Sequence, residues 1–311
     1  MASIQDIDLH LHTTYSDGRN TLASVFDYLQ KNKLKYISIT DHNTVQGNIV
    51  LRQQGEHAFL IAGTELRLPG MPDILIYFPE VSLSELIRIE EELTEISRLD
   101  QEITLLIANE YLGNEALELW KSSCFFNTQG NYWLGTFQLS QLLAQSSEPS
   151  HEIIKEIRSK KSRILKQPEK CESARQLLDI SCFEWIKDFS SRHKGHAVLA
   201  HPYRELIRRF HQQMVMDLSL FKEFLSLIFD ECNKWNLKTI EHILYYSEKW
   251  WEQHFSFNSN DANRIFMNLC REKKFTITIG SDSHDLCQSS GIISSLIDEE
   301  IAPFLPSWIR D

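Results

Sequence analysis

From Asp6 to Leu11 the chain alternates, with Ile7, Leu9 and Leu11 on one face and Asp8, His10 and His12 on the other. A period of two predicts a strand whose apolar face packs into a core, while two imidazoles at i and i+2 point together into another space. An amphipathic helix is predicted from Thr21 to Lys33, with Leu22, Val25, Phe26 and Leu29 on one stripe, followed by an apolar strand from Tyr36 to Thr40. Strand, helix and strand in this order imply a parallel βαβ unit, because parallel neighbours need a crossover connection.

The alternation continues with a helix near Val45 to Gln54 and strands from Phe59 to Leu66 and Asp73 to Phe78. It returns late in the chain with strands from His196 to Ala200, Thr239 to Tyr245 and Phe275 to Ile279. Seven strands separated by helical patterns suit an α/β barrel or a doubly wound sheet. Ser82 to Lys194 differs: it is helical in pattern, Glu-rich from Ser84 to Leu99, and too long for a connection. Residues 82–194 are therefore expected to form an inserted helical cap, with 1–81 and 195–311 as the catalytic body. Within the cap, Tyr132, Trp133 and Phe137 read as core rather than as a base-stacking surface. The basic run Lys155, Arg158, Lys160, Lys161, Arg163 and Lys166 reads first as a solvated helix face and second as a phosphate-contacting patch.

A net charge of −11 over 311 residues disfavours stable binding to duplex DNA or acidic membrane, although cations gathered in one pocket would make that pocket locally positive. The six cysteines form no CxxC pair, no stretch reaches the ~18 apolar residues of a membrane span, and the N-terminus lacks a leader pattern. A cytoplasmic protein with free thiols is expected.

Chemistry gathers at the predicted strand ends. The first strand ends in His10 and His12, the second in Asp41-His42, the third in Glu65, and the fourth opens at Asp73. The fifth ends at His201, and the last runs into Asp282-Ser283-His284. A lone strand His is usually structural, but pairs at i and i+2 converge on separations one metal can bridge. Asp17, in the turn Tyr15-Ser16-Asp17-Gly18, lies close enough to join them. Imidazole and carboxylate without thiolate suit Zn, Mn or Fe. Glu65 is the natural bridge between two such ions, and paired divalent ions that activate a water are a general device for phosphoester hydrolysis.

These motifs also resemble the PHP family, named for polymerase and histidinol phosphatase domains. They read His10-Leu11-His12, Asp17-Gly18, Thr40-Asp41-His42, Gly63-Thr64-Glu65, Ala200-His201-Pro202 and Gly280-Ser281-Asp282-Ser283-His284. The resemblance implies a distorted seven-stranded (β/α) barrel, a centre of two or three divalent metals, and phosphoester hydrolysis. The implied ligands are His10, His12, Asp17, His42, Glu65, Asp73, His201, Asp282 and His284. One departure is Asp73, where the family commonly places His; it would add negative charge and favour harder ions.

Arg204, beside His201, and Arg67, beyond Glu65, are candidate phosphate contacts, with a salt bridge to a neighbouring carboxylate as the alternative for Arg204. A nucleotide or short single-stranded oligonucleotide is the leading substrate, ahead of histidinol-phosphate or sugar-phosphate metabolites. Amidohydrolases share the opening HxH, but would use a bridging Lys that these strand ends lack.

Overall fold

The computed structural model describes residues 7–55, 60–122, 134–145, 150–210, 215–243, 248–286 and 302–310. All seven expected strands form: β1 (Ile7–Leu11), β2 (Tyr36–Ile39), β3 (Ala62–Leu66), β4 (Ile74–Phe78), β5 (His196–Leu199), β6 (Thr239–Ile243) and β7 (Thr276–Gly280). Helix α1 (Leu22–Asn32) joins β1 to β2, and α2 (Gln46–Gln54) follows β2. Between β4 and β5 run α3 (Leu83–Leu112), α4 (Ala116–Ser122), α5 (Thr136–Ala144), α6 (His151–Leu165), α7 (Glu172–Ile180) and α8 (Phe183–Arg192). The later helices are α9 (Pro202–Phe210), α10 (Leu218–Lys234), α11 (Glu248–His254) and α12 (Ser259–Lys273). No described helix is long and apolar enough to cross a membrane. Tyr132, Trp133 and the side chain of Phe137 lie outside the described residues.

The strands form a parallel pair, β1-β2, and a five-stranded sheet ordered β3-β4-β5-β6-β7. The expected closed barrel is therefore not formed. Among the described residues, the backbone pairing between the two sheets consists of isolated bridges, Leu11 to Ser283 on one side and Ile37 to Leu60 and His42 to Glu65 on the other. β1 is also irregular in itself, its register against β2 shifting between Asp8 and Leu11, the stretch that carries His10.

β4 is the second departure from an all-parallel reading, since it runs antiparallel to both β3 and β5. Its link from β3 spans only Arg67 to Asp73, too short for the crossover that parallel strands require. The reversal places the start of β4 beside the ends of its neighbours: Ile74 pairs with Leu66 and with Leu199. Asp73 thus reaches the same end of the sheet as Glu65 and His201.

Helix α3 is 30 residues long, ~45 Å at 1.5 Å per residue. Ser82 starts it by accepting a hydrogen bond from the Glu85 N–H. Its first two-thirds or so buries Leu86, Ile89, Leu93, Ile96 and Ile103 in the main core. Its far end joins a separate small core of Ile107, Ala108, Ala116, Trp120, Leu134, Leu139 and Ile157. Because β4 ends away from the donor-bearing strand ends, this helix is what carries the chain back toward them. On the way, Glu90 accepts from Thr44 Oγ1 (2.9 Å) and the Val45 N–H (2.7 Å), and Ser97 donates to the Asn43 carbonyl (3.2 Å).

Candidate metal centre

Alternation along β1 sends Leu9 and Leu11 into apolar cores and His10 and His12 into a polar centre, all four fully buried. The His10 and His12 Nε2 atoms lie 3.1 Å apart. Glu65 Oε2 lies 3.5 Å from the first and 3.2 Å from the second, and Asp282 Oδ1 lies 3.5 Å and 3.3 Å from them. Donors bound to one ion at ~2.1 Å sit ~3.0–3.4 Å from each other, so His10, His12 and Glu65 come close to the spacing of one coordination shell, while Asp282 groups with His10 and His201.

The other expected residues surround this group. His42 Nε2 and His284 Nε2 approach the two oxygens of Asp17 at 3.4 Å and 3.2 Å, while His42 Nδ1 lies 2.9 Å from Glu65 Oε2. His201 Nε2 lies 2.8 Å from Glu65 Oε1, and Asp73 completes a group with those two residues. All nine residues named from sequence fall into clusters whose donor atoms could hold a metal ion. Glu65 belongs to two of these clusters, and its two oxygens face different histidines. Several of the buried polar atoms, including both carboxylate oxygens of Glu65, Asp282 Oδ1 and both ring nitrogens of His42, have no hydrogen-bond partner of ordinary geometry. Buried acceptors left in that condition cost free energy unless something satisfies them, and divalent cations fit both the spacing and the need.

Charge follows the same pattern. Burial opposes ionisation of Asp17, Glu65 and Asp282, yet neighbouring imidazoles hold all three carboxyls well below the usual range. Burial also pulls His10 down, but Glu241, Asp282 and Glu65 carry it well above its ordinary value. For His42, burial and Arg67 act downward, while Asp17 and Glu65 raise it to about 10.

Sequence reasoning missed Glu241. This carboxylate, fully buried on β6, accepts from His10 Nδ1 at 2.6 Å and from the His201 N–H at 3.0 Å. It thereby turns His10 Nε2 toward the centre and fixes the backbone that carries His201. The available signal was an acid in mid-strand, flanked by the apolar Ile240 and Ile243, in Thr239-Ile240-Glu241-His242-Ile243. Asp8, one step back on β1, accepts from the Ser281 N–H (2.9 Å) and Oγ (2.8 Å), anchoring the segment that carries Asp282. Asp41 is a loop organiser: it accepts from the Thr13 N–H (2.7 Å), Thr13 Oγ1 (2.6 Å) and Ser16 Oγ (2.6 Å).

The backbone is strained where it delivers donors. His201 and Asp282 have φ of 41° and 52°, left-handed values that non-glycine residues adopt at a cost of order 1 kcal/mol. At Gly280 a Cβ would run into His10 Cβ and come within 2.9 Å of Glu241 Oε1, so only glycine fits there.

Arg204 Nη1 pairs with Asp282 Oδ2 at 2.6 Å with half of its side chain exposed. Arg67 bridges Asp17 and Asp73 at 3.6 Å each and lines a cavity of about 560 Å³ beside the centre. Asp17, His42 and the loop residues around them and around Arg67 form one part of that cavity's wall, and residues of α3, α5, α6 and α7 form the other. Gln138 Nε2, on α5, ties the two parts by donating to the Ser16 carbonyl (3.3 Å).

The chain belongs to the PHP family: the PHP domain model matches residues 8–256. A search of curated proteins returned no match. Among solved structures, one from Bifidobacterium adolescentis, assigned by inference as a metal-dependent phosphoesterase, superposes with a TM-score of 0.52 at 14% identity, covering 98% of each chain. An amidohydrolase from Chromobacterium violaceum, with sulfate bound and no metal, gives 0.51 at 18% identity, covering 97% of this chain and 93% of the other. At these identities the likeness speaks for the fold.

Proposed function

We propose that the protein is a metal-dependent phosphoesterase that hydrolyses nucleotides or short single-stranded oligonucleotides. The observation that carries this reading is the convergence of His10, His12 and Glu65, and of His10, His201 and Asp282, into adjoining groups that could each hold an ion, flanked by Asp17, His42, Asp73 and His284. These nine residues would hold two or three ions of Mn, Zn or Fe character. Bound there, such ions supply an acidified water and charge neutralisation for phosphate.

The protein's own groups do the rest. Glu241 keeps the His10 donor aimed inward, and Asp8 and Asp41 hold the loops that present Asp282 and Asp17. Arg67 and Arg204 stand beside the centre as guanidinium contacts for phosphate oxygens, each now resting on a carboxylate. Residues 82–194 act as a cap: α6 and its neighbours bound a cavity whose volume suits a mononucleotide or a frayed strand end and not a duplex. A net charge of −11 supports the same exclusion. The Chromobacterium structure, alike in fold, bears the name of an amidohydrolase. That name supports a second reading, C–N bond hydrolysis.

The test strips the protein of metal, reloads it with Mn, Zn or Fe, and offers mononucleotides, single-stranded oligomers, duplexes, histidinol and sugar phosphates, and amides side by side. Metal-restored turnover greatest on mononucleotides or single strands is expected. Full activity after verified metal removal, or cleavage confined to duplex, non-nucleotide phosphates or amides, overturns the proposal.

A further inference from the structure

His42 reaches the centre from the loop between β2 and α2, which is held on both sides of it. Before His42, Asp41 ties the loop to Thr13 and Ser16. After it, α3 makes contact through Ser97 and Glu90. Ser97 Oγ donates to the Asn43 carbonyl at 3.2 Å. The buried Glu90 carboxyl accepts from the Val45 N–H at 2.7 Å and from Thr44 Oγ1 at 2.9 Å. Thr44 Oγ1 itself accepts from the Gln46 N–H at 3.0 Å, so one acid organises the first turn of α2, whose N-cap residue Val45 has no side-chain acceptor. Asn43 lies between these anchors at φ 51°, a left-handed value that persists in a non-glycine residue only where its surroundings fix it. Its side chain exchanges hydrogen bonds with the Arg67 backbone, and its N–H donates to the Glu65 carbonyl. The His42 ring, one residue back, has Nδ1 2.9 Å from Glu65 Oε2 and Nε2 3.4 Å from Asp17 Oδ2, a placement that follows the loop.

We propose that Glu90 and Ser97 are positioning residues for His42, which makes α3 part of the scaffold of the metal centre as well as of the cavity wall. They act on one group of donors, His12, Asp17, His42 and His284, because the other three groups take no donor from this loop. The inference rests on the metal-centred reading of the site and assigns a new task to the long helix. Neither residue touches a reacting atom: both work through the backbone from Asn43 to Val45.

The experiment loads the full chain with Zn, withdraws the metal with a chelator of known affinity, and follows folding by circular dichroism. Groups that orient metal ligands contribute about 10- to 100-fold in affinity. Glu90→Leu should therefore release one class of Zn about tenfold more readily and leave the remainder at wild-type affinity. Ser97→Ala, which removes a single hydroxyl, should show a smaller loss of the same class and carries the test if Glu90→Leu does not fold. Glu90→Gln should retain Zn like the wild type, since its oxygen can accept from Val45 and its NH₂ can donate to Thr44. Ile107→Ala, in the small core at the far end of α3, should lower stability without singling out one class of Zn. A thermodynamic cycle separates positioning from general loosening: in a His42→Ala background the Glu90 and Ser97 variants should add almost nothing, and in a His201→Ala background their effect should persist in full. Wild-type Zn retention in folded variants, equal loss of every class, a Gln variant as impaired as Leu, or full additivity with His42→Ala overturns the inference and leaves the metal-centred reading standing. A wild-type chain that holds no Zn, Mn or Fe removes that reading, and this inference with it.

Discussion

Replacing Glu241 with Gln changes one oxygen for an amide nitrogen without altering shape, which makes it a sharp probe of how the centre is held. The carboxylate accepts two hydrogen bonds, from His10 Nδ1 and from the His201 N–H. Glutamine can satisfy only one, since turning its oxygen toward His10 points its NH₂ at the His201 N–H, donor against donor. A buried donor left in that position costs about 1–3 kcal/mol. The His10 ring also loses the charge that favours the tautomer with Nε2 free. Substitution of groups that orient metal-binding histidines weakens metal by about 10- to 100-fold, or about 1.4–2.7 kcal/mol. Competition against a chelator of known affinity should show that loss in Glu241→Gln, and thermal unfolding should show a folded but less stable protein. A folded Glu241→Gln protein with wild-type metal affinity would refute the positioning role.

Gly280→Ala should cost about 1–3 kcal/mol in chemical unfolding and lower metal affinity, because its methyl must displace His10 or Glu241; wild-type stability with full affinity contradicts the packing described. Metal affinity should climb with pH, since bound metal displaces protons from His10, held well above its ordinary pKa, and from His42, held at about 10. Titrations between pH 6 and 9 that give one constant affinity count against this. Glu90 is raised by burial from 4.5 to about 7, so the folded state binds the extra proton; its contribution is full below pH 4.5 and fades as pH rises through 7, by up to ~3 kcal/mol. Urea unfolding across that range should slope downward in the wild type and flatten in Glu90→Gln. Asp73→His should stay metal-loaded and active with preference shifted from Mn toward Zn; a metal-replete but inactive variant assigns Asp73 another task.

The parts of the centre legible in the sequence were those at strand ends, because alternation fixes which face a residue occupies and the end of a strand fixes its level. His10, His12, Glu65 and His201 follow from that rule. The reversal of β4 was equally present in the brevity of the Arg67 to Asp73 link, yet a helix–strand rhythm that was parallel elsewhere masked it. Glu241 was not legible as a partner because a buried acid inside a strand declares only that it needs donors, and which donors depends on β6 lying within reach of β1 across β7. The missing closure between sheets has no signature in side-chain patterning, which fixes the face a residue occupies and not whether neighbouring strands complete a ladder. The basic run was read mainly as solvated surface; Lys160 and Lys161 instead face acids on α3, a tertiary contact beyond the reach of helical periodicity.

β4 leaves, and β5 re-enters, at the end where Tyr77 pairs with His196, opposite the end that carries the donors. The helices that wall one side of the cavity therefore branch off far from the donor-bearing loops that wall the other, and no residue of α6 shares a loop with a donor. Replacing that branch by design would rethread no coordinating strand.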